Sequence, residues 1–487
     1  MGVVGLLPFV KKACYEGNIN EFKGKTLLVD VSCLLHRGVF GCAGKLAMGQ
    51  DSELYIGYVQ KYVKCLLMLD CHVILVFDGR PLPAKKDTND SRREFREKYQ
   101  NLGTELLSQG LTAEAHRAFS KGVTLTREVI EKTIKTFNKI RNVDTIVAPY
   151  EADAQIAYMM KEGFAHAVVT EDSDLIVFGC DKIIFKMDPG TGFCVVYEKQ
   201  KLPNCVCPVF RRRFDFVTFR RICILAGCDY LQGGLQGVGL KTAEEMFTKA
   251  SNQTALRNIL TRLQLYTSKR LKVNVDTEFV DAFVRAENTF LHQIVFDPIR
   301  RKQKPLNPYP EKLEESKENL LDEEKYNFAG KVRNASAETL RLALGNEYVS
   351  KPSFEDDFAL PREIAEWSIW HQNYKSVFEK EKDRREKALD DKFGGFRPKK
   401  SPIKRSFAEL IPPHSEPRNF VSQGEVEMVF SKRRRFSEIQ IGSAAPRNGV
   451  YMNWTARDWM RMYGQIAEKD GDKEEDSGLK SSGVSSQ

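Results

Sequence analysis

Five short apolar runs rich in valine, isoleucine and leucine punctuate the first 187 residues, at 26–31, 72–77, 145–148, 165–170 and 182–186. None alternates polar with apolar positions, which is the pattern of strands buried on both faces of a sheet. Between them, residues 55–69 and 153–161 carry apolar side chains at helical spacing. This β-α-β order predicts an α/β fold with a mostly parallel central sheet and helices on both faces. Residues 84–141 form a long, highly charged helical stretch inserted between two strands, with basic residues modestly outnumbering acidic ones. It is too polar for core and is expected to be a solvated helical excursion. Further on, 216–247 reads as two helices joined by a glycine-rich turn, followed by more helices to about Phe296.

After about residue 350 the pattern fades, and Pro, Ser and Lys/Arg accumulate between 397 and 447. Segment 351–487 is therefore expected to be a mostly disordered tail. Two helical islands stand out in it, 361–392 with Trp367 and Trp370 and 453–468 with Trp454 and Trp459, and they read as protein-docking helices. Basic clusters at 399–405 and 432–435 are of the nuclear-import type, with nonspecific DNA-binding patches as the alternative. Gln423, Val426, Val429 and Phe430 form a degenerate sliding-clamp motif that lacks its aromatic pair.

Composition changes this picture little. The net charge of +9 mildly favours an anionic partner. The start lacks the features of a secretory signal and no apolar run reaches 18 residues, so a soluble intracellular protein with no membrane association is expected. Its 11 cysteines lack regular spacing and suggest reduced thiols. Cys205, Cys207, Cys223 and Cys228 match no common zinc module.

Where the acids fall is more informative. Asp30 ends the first run and Asp78 follows the second; Glu151 and Asp153 follow the third, and Asp172 and Asp174 the fourth. In an open parallel sheet all strand carboxyl ends share one edge, so these acids converge. Asp229, after an apolar helix, is placed to join them. Any one of them is explained as a helix cap or turn residue, and Asp153 has the strongest such claim because a helix begins there. The whole set repels itself unless cations intervene, and all-oxygen ligands point to two hard ions, Mg²⁺ or Mn²⁺, suited to phosphodiester hydrolysis.

The segments Met1-Gly-Val-Val-Gly-Leu-Leu-Pro-Phe9, Val76-Phe-Asp-Gly79, Ala148-Pro-Tyr-Glu-Ala-Asp-Ala-Gln155, Val169-Thr-Glu-Asp-Ser-Asp-Leu175 and Ala226-Gly-Cys-Asp-Tyr-Leu231 together resemble, in order and spacing, the flap endonuclease superfamily of 5′ nucleases. The start, His36, the run from Leu82 to Lys86, Phe290 and Phe296-Asp-Pro298 look most like its exonuclease branch. The resemblance covers about residues 1–350. It implies a nuclease domain with an N-terminal region at 1–99, an arch at about 84–141, an internal region at about 138–229 and a helix-two-turn-helix with C-terminal helices at about 216–300.

By that resemblance the protein is a monomeric 5′-to-3′ exonuclease on double-stranded DNA that also cuts 5′ flaps. It would serve mismatch repair, end resection and recombination in the nucleus, meeting mismatch-repair proteins through its tail. Asp30, Asp78 and Asp153 would hold one metal, with Glu151 acting directly or through water; Asp153, Asp172, Asp174 and Asp229 would hold the second. Lys85 and Arg92 match the arch's catalytic cations, while Arg93 and Arg96 read as phosphate-positioning or solvated. Gly2, His36, Gly237, Gly239 and Lys241 match DNA-contacting positions, the last three in a turn that takes a monovalent cation such as K⁺. The sequence departs from the pattern twice. Ser32 stands where an aromatic is usual, which puts a stacking contact to DNA in doubt, and the turn before Gly237 is one residue longer. Rival readings are a flap- or junction-specific endonuclease, a non-cutting DNA-binding scaffold, and a hydrolase of RNA or small phosphates.

Overall fold

The structure is a computed structural model that describes residues 2–50, 52–250, 255–266, 275–310, 325–349 and 358–392. The sequence features at 399–405, 423–430, 432–435 and 453–468 lie outside the described residues.

Strands β1 (Cys14–Asn18), β2 (Thr26–Asp30), β3 (His72–Phe77), β4 (Val143–Val147), β5 (Ala167–Val169), β6 (Lys182–Phe185) and β7 (Phe193–Glu198) form one sheet in the order β1-β7-β6-β5-β2-β3-β4. The five strands from β6 to β4 are parallel, and β7 and β1 add antiparallel pairs at one edge. Successive residues of a central strand serve opposite faces. Leu28, Ile74 and Val168 enter one apolar core, while Leu27, Val29, Val73, Leu75 and Val169 enter the other. Burial on both faces explains the unbroken apolar runs. The chain runs from β2 through β3 to β4 on one side and then crosses to β5 on the other, so the strand order reverses beside β2. Such a reversal opens a crevice at the strands' carboxyl ends.

Helices α1 (Val31–Phe40) and α2 (Leu54–Met68) follow β2. Then α3 (Lys86–Ser108) and α4 (Thr112–Gly122) pack against each other as a hairpin. The excursion ends there rather than at 141. Helix α5 (Arg127–Phe137) returns to the body because Val129, Ile134 and Phe137 recur at helical spacing and are buried in the core.

Helix α6 (Ala152–Lys161) precedes β5, and α7 (Phe216–Ala226) and α8 (Leu240–Lys249) flank the glycine-rich turn. Helix α9 (Thr277–His292) stops short of Phe296. Phe296 lies instead in β8 (Ile294–Asp297), which forms a hairpin with β9 (Lys302–Pro305). The cause is tertiary: the Gln155 side chain donates to the Phe296 carbonyl and accepts from its N–H, both at 2.8 Å.

The segment at 358–392, expected within a disordered tail, packs on the body. Ser368 Oγ and the Ile369 N–H donate to the buried Asp144 carboxylate at 2.7 and 2.9 Å, and His72 Nε2 lies 2.8 Å from it. Tyr374 donates to the Phe164 carbonyl, Trp370 is buried in the core, and Trp367 meets His72 edge-on. These tryptophans are anchors of the chain's own strap, not a surface offered to a partner. The strap is mostly turns, with helix only at α10 (Val377–Lys392). Among the described residues no helix is long and apolar enough to cross a membrane.

Candidate active site

Asp30, the last residue of β2, is buried and caps α1, accepting from the Cys33 N–H at 3.4 Å and from Thr170 Oγ1 at 2.8 Å. Asp78 follows β3. Its Oδ1 accepts from the Ala152 N–H at 2.8 Å, so the cap of α6 comes from Asp78 across the sheet. Asp153, in that helix's first turn, does not provide the cap suggested by its position. Beyond β5, Asp172 Oδ1 accepts from the Asp174 N–H at 3.0 Å, and Asp174 Oδ1 accepts from the Val3 N–H at 2.9 Å. Asp229 follows Gly227, whose φ of 110° turns the chain out of α7 toward the strand ends. Gly2 packs on the same group, since a Cβ there would stand 2.4 Å from Asp172 Oδ1 and 2.7 Å from Asp174 Oδ1.

The hairpin supplies the counter-charges. Lys85 Nζ lies 2.5 Å from Glu151 Oε1 and 2.8 Å from Asp229 Oδ2, while Arg92 Nη2 donates to Asp229 Oδ1 at 2.8 Å. Thr88 Oγ1 donates to the Asp229 carbonyl at 2.7 Å, docking the first turns of α3 on the site. Arg96 lies one turn beyond Arg92 and influences His36, whose pKa is lowered by burial and by that guanidinium. Arg93 is 65% exposed and pairs with Asp90 and Glu97 of its own helix.

Burial first, then neighbouring carboxylates, push Asp153 and Asp174 well above the ordinary range. Burial also raises Asp172, and it lifts Asp30 to about 6. Burial would raise Asp229 too, but Lys85 and Arg92 outweigh it and hold the group low. The chain thus neutralises one flank of the cluster and leaves the other as desolvated carboxylates in mutual repulsion. An all-oxygen, uncompensated, buried donor set suits hard divalent cations. Among the described residues, no three His, Cys, Asp or Glu side chains stand close enough to grip a single ion as they are.

Sequence reasoning assigned no role to two residues that fix Glu151. Tyr230 donates to Glu151 Oε2 at 2.6 Å, and Gln293 Nε2 donates to the same oxygen at 3.1 Å. Both lie in stretches already singled out, Tyr230 in Ala226–Leu231 and Gln293 between Phe290 and Phe296, but neither side chain was itself marked. At the turn before α8, Gly237 has a φ of 80° and Gly234 lies against the Leu225 carbonyl. Gly239 is different: a Cβ there would meet nothing within 4 Å. Lys241 stands over the Phe9 ring and pairs with buried Glu244 at 3.1 Å.

The chain that carries this acidic strand-end cluster matches the XPG N-terminal domain over residues 1–99 and the XPG I-region over residues 142–229. It is 40% identical over 359 residues to exonuclease 1 of Xenopus laevis, covering 74% of this chain and 46% of that one. It is 31% identical over 325 residues to the DNA damage-inducible protein DIN7 of Saccharomyces cerevisiae, covering 66% of this chain and 72% of DIN7. The chain belongs to the exonuclease 1 family. It spans about half the length of the exonuclease 1 relatives it matches. A solved structure of the Rad2 catalytic core in complex with DNA substrate is also similar, with a TM-score of 0.38 at 18% identity, covering 59% of this chain and 87% of Rad2's.

Proposed function

We propose that this protein is a metal-dependent 5′-to-3′ exodeoxyribonuclease acting on double-stranded DNA, with cutting of 5′ flaps as a second activity of the same site. The observation that carries the reading is the strand-end and turn cluster of Asp30, Asp78, Glu151, Asp153, Asp172, Asp174 and Asp229, whose carboxylates perturb one another, with Lys85 and Arg92 delivered to Glu151 and Asp229 by a helical hairpin that docks there. Asp30, Asp78 and Asp153, with Glu151, would hold one divalent ion; Asp153, Asp172, Asp174 and Asp229 would hold the other. When bound, Mg²⁺ or Mn²⁺ would activate water and stabilise the leaving oxygen.

The protein's own groups do the rest. A phosphate entering between hairpin and carboxylates competes for the Lys85 ammonium and the Arg92 guanidinium, which then offset charge developing on its oxygens. Tyr230 and Gln293 hold Glu151 in one orientation. His36, Arg96 and Arg93 would meet backbone phosphates near the cut. Gly237, Gly239 and Lys241 would meet the intact duplex, with K⁺ at the turn; the unfilled space at Gly239 supports close approach of a phosphate there. Gly2 seats the N-terminus on Asp172 and Asp174. A nuclear location, a monomeric state and roles in mismatch repair, end resection and recombination fit this activity.

A recessed duplex labelled at either end tests the polarity in Mg²⁺. Early release of the 5′ label, with Asp174→Ala abolishing cutting yet still binding DNA without metal, is the expected result. Release from the 3′ end, or full turnover by Asp174→Ala, would refute the reading.

A further inference from the structure

Ser32 stands where the resemblance leads one to expect an aromatic, and the structure gives its hydroxyl a specific contact. Ser32 Oγ donates to Asp78 Oδ2 at 2.6 Å. The other oxygen of the same carboxylate accepts from the Ala152 N–H at 2.8 Å, and the Asp78 carbonyl accepts from Tyr348 at 2.6 Å. All three donors sit on ordered elements: Ser32 in the first turn of α1, Ala152 at the start of α6, and Tyr348 in the chain following β9. Asp78 is nonetheless exposed, so its free lone pairs remain open to an incoming ligand.

An exposed aspartate held by one donor at Oδ1 still swings about its side-chain torsions. A second donor at Oδ2 leaves one rotamer. Hydrogen-bonding partners of metal-binding carboxylates set orientation in this way, and their loss typically weakens metal binding by about 10- to 100-fold. A phenol at position 32 cannot substitute, because its hydroxyl stands several ångströms beyond the reach of a serine Oγ.

Resting on the metal-dependent reading above, we propose that Ser32 is a positioning residue that fixes the Asp78 carboxylate for a divalent ion. In this chain a hydroxyl that orders a ligand thereby stands in the place of a ring.

The test compares the full chain with Ser32→Ala, Ser32→Thr and Ser32→Tyr by Mn²⁺ titration, following the free ion by electron paramagnetic resonance, with melting in EDTA as a folding control. Ser32→Ala is expected to need about tenfold more Mn²⁺ for half-saturation. Ser32→Thr, which keeps the hydroxyl, should bind like the parent, and Ser32→Tyr should behave like Ser32→Ala. All four should melt together in EDTA, separating orientation of the ligand from stability of the fold. Equal Mn²⁺ affinity in the parent and Ser32→Ala, or equal weakness in Ser32→Thr and Ser32→Ala, would overturn the role of Ser32 alone. A parent protein that binds no Mn²⁺ would overturn the metal-dependent reading itself.

Discussion

Replacing Asp30 by asparagine should stabilise the metal-free protein at neutral pH while destroying its activity. The Asp30 carboxyl is 3% exposed, and burial lifts its pKa from 3.8 to about 6 despite the hydrogen bonds from Cys33 and Thr170. A raised folded-state value means that the folded protein binds this proton more tightly than the unfolded chain. That contribution is fully present below about pH 4 and is lost as pH rises through about 6. A shift of about two units corresponds to on the order of 3 kcal/mol by pH 7.5. The amide of Asp30→Asn carries no charge, still accepts from the Cys33 N–H and can donate to Thr170 Oγ1, so it removes the penalty without orphaning a partner. Guanidinium unfolding in EDTA should show Asp30→Asn more stable by on the order of 3 kcal/mol at pH 7.5, with the gap closing toward pH 4. Saturating Mn²⁺ should reverse the order, because the parent gains an ion that the variant cannot hold as well. A variant that is less stable at pH 7.5, or a gap that ignores pH, would refute the claim that Asp30 is an uncompensated buried charge.

Gly2→Ala would force a Cβ against Asp172 and Asp174 at a φ of 86°, so cleavage should fall at least about tenfold with little change in melting; full activity would show that the N-terminus does not seat these ligands. Tyr230→Phe removes a hydrogen bond to a carboxylate and should cost roughly 1.5–3 kcal/mol of stability in denaturant titration, with slower cleavage; a neutral result would mean that Gln293 alone fixes Glu151. Truncation after residue 350 strips Asp144 of the Ser368 and Ile369 donors and removes Trp370 from the core, so the remaining domain should unfold earlier by roughly 3–5 kcal/mol. An unchanged unfolding curve would separate the strap from the body.

The parallel sheet was legible because its strands are buried on both faces and must be apolar throughout. Strand β4 shows the limit of that rule: it begins at Val143, two residues before the expected start, and its Asp144 is a buried polar residue that breaks the apolar run. Asp144 is tolerated only because the strap, 224 residues on, returns two donors to it. Neither half of that contact announces the other, so a strap folded on the body read as a partner-docking helical island within a disordered tail. The same holds for β8, where Gln155 draws the chain after α9 into a strand that local periodicity continued as helix. Helix α5 read as part of a solvated excursion because charge dominates its composition, although its apolar face is what returns the chain to the core.

At the site, residue types that sit at strand ends were readable because topology alone brings those ends together. What sequence spacing leaves open is how the acids divide their work. Asp78 caps α6 in place of Asp153, and Lys85 is buried between Glu151 and Asp229 rather than displayed on an open helix face. That last contact gives the cluster its electrical asymmetry. The hairpin's cations satisfy Glu151 and Asp229, while Asp30, Asp153, Asp172 and Asp174 have only weak compensation against burial and each other. Docking of the hairpin and the least compensated repulsion therefore fall on opposite flanks of one cluster. On the proposed reading, a phosphate that drew Lys85 and Arg92 toward itself would also expose Glu151 and Asp229, so substrate entry would raise the negative charge of the site when its remaining carboxylates most need positive partners.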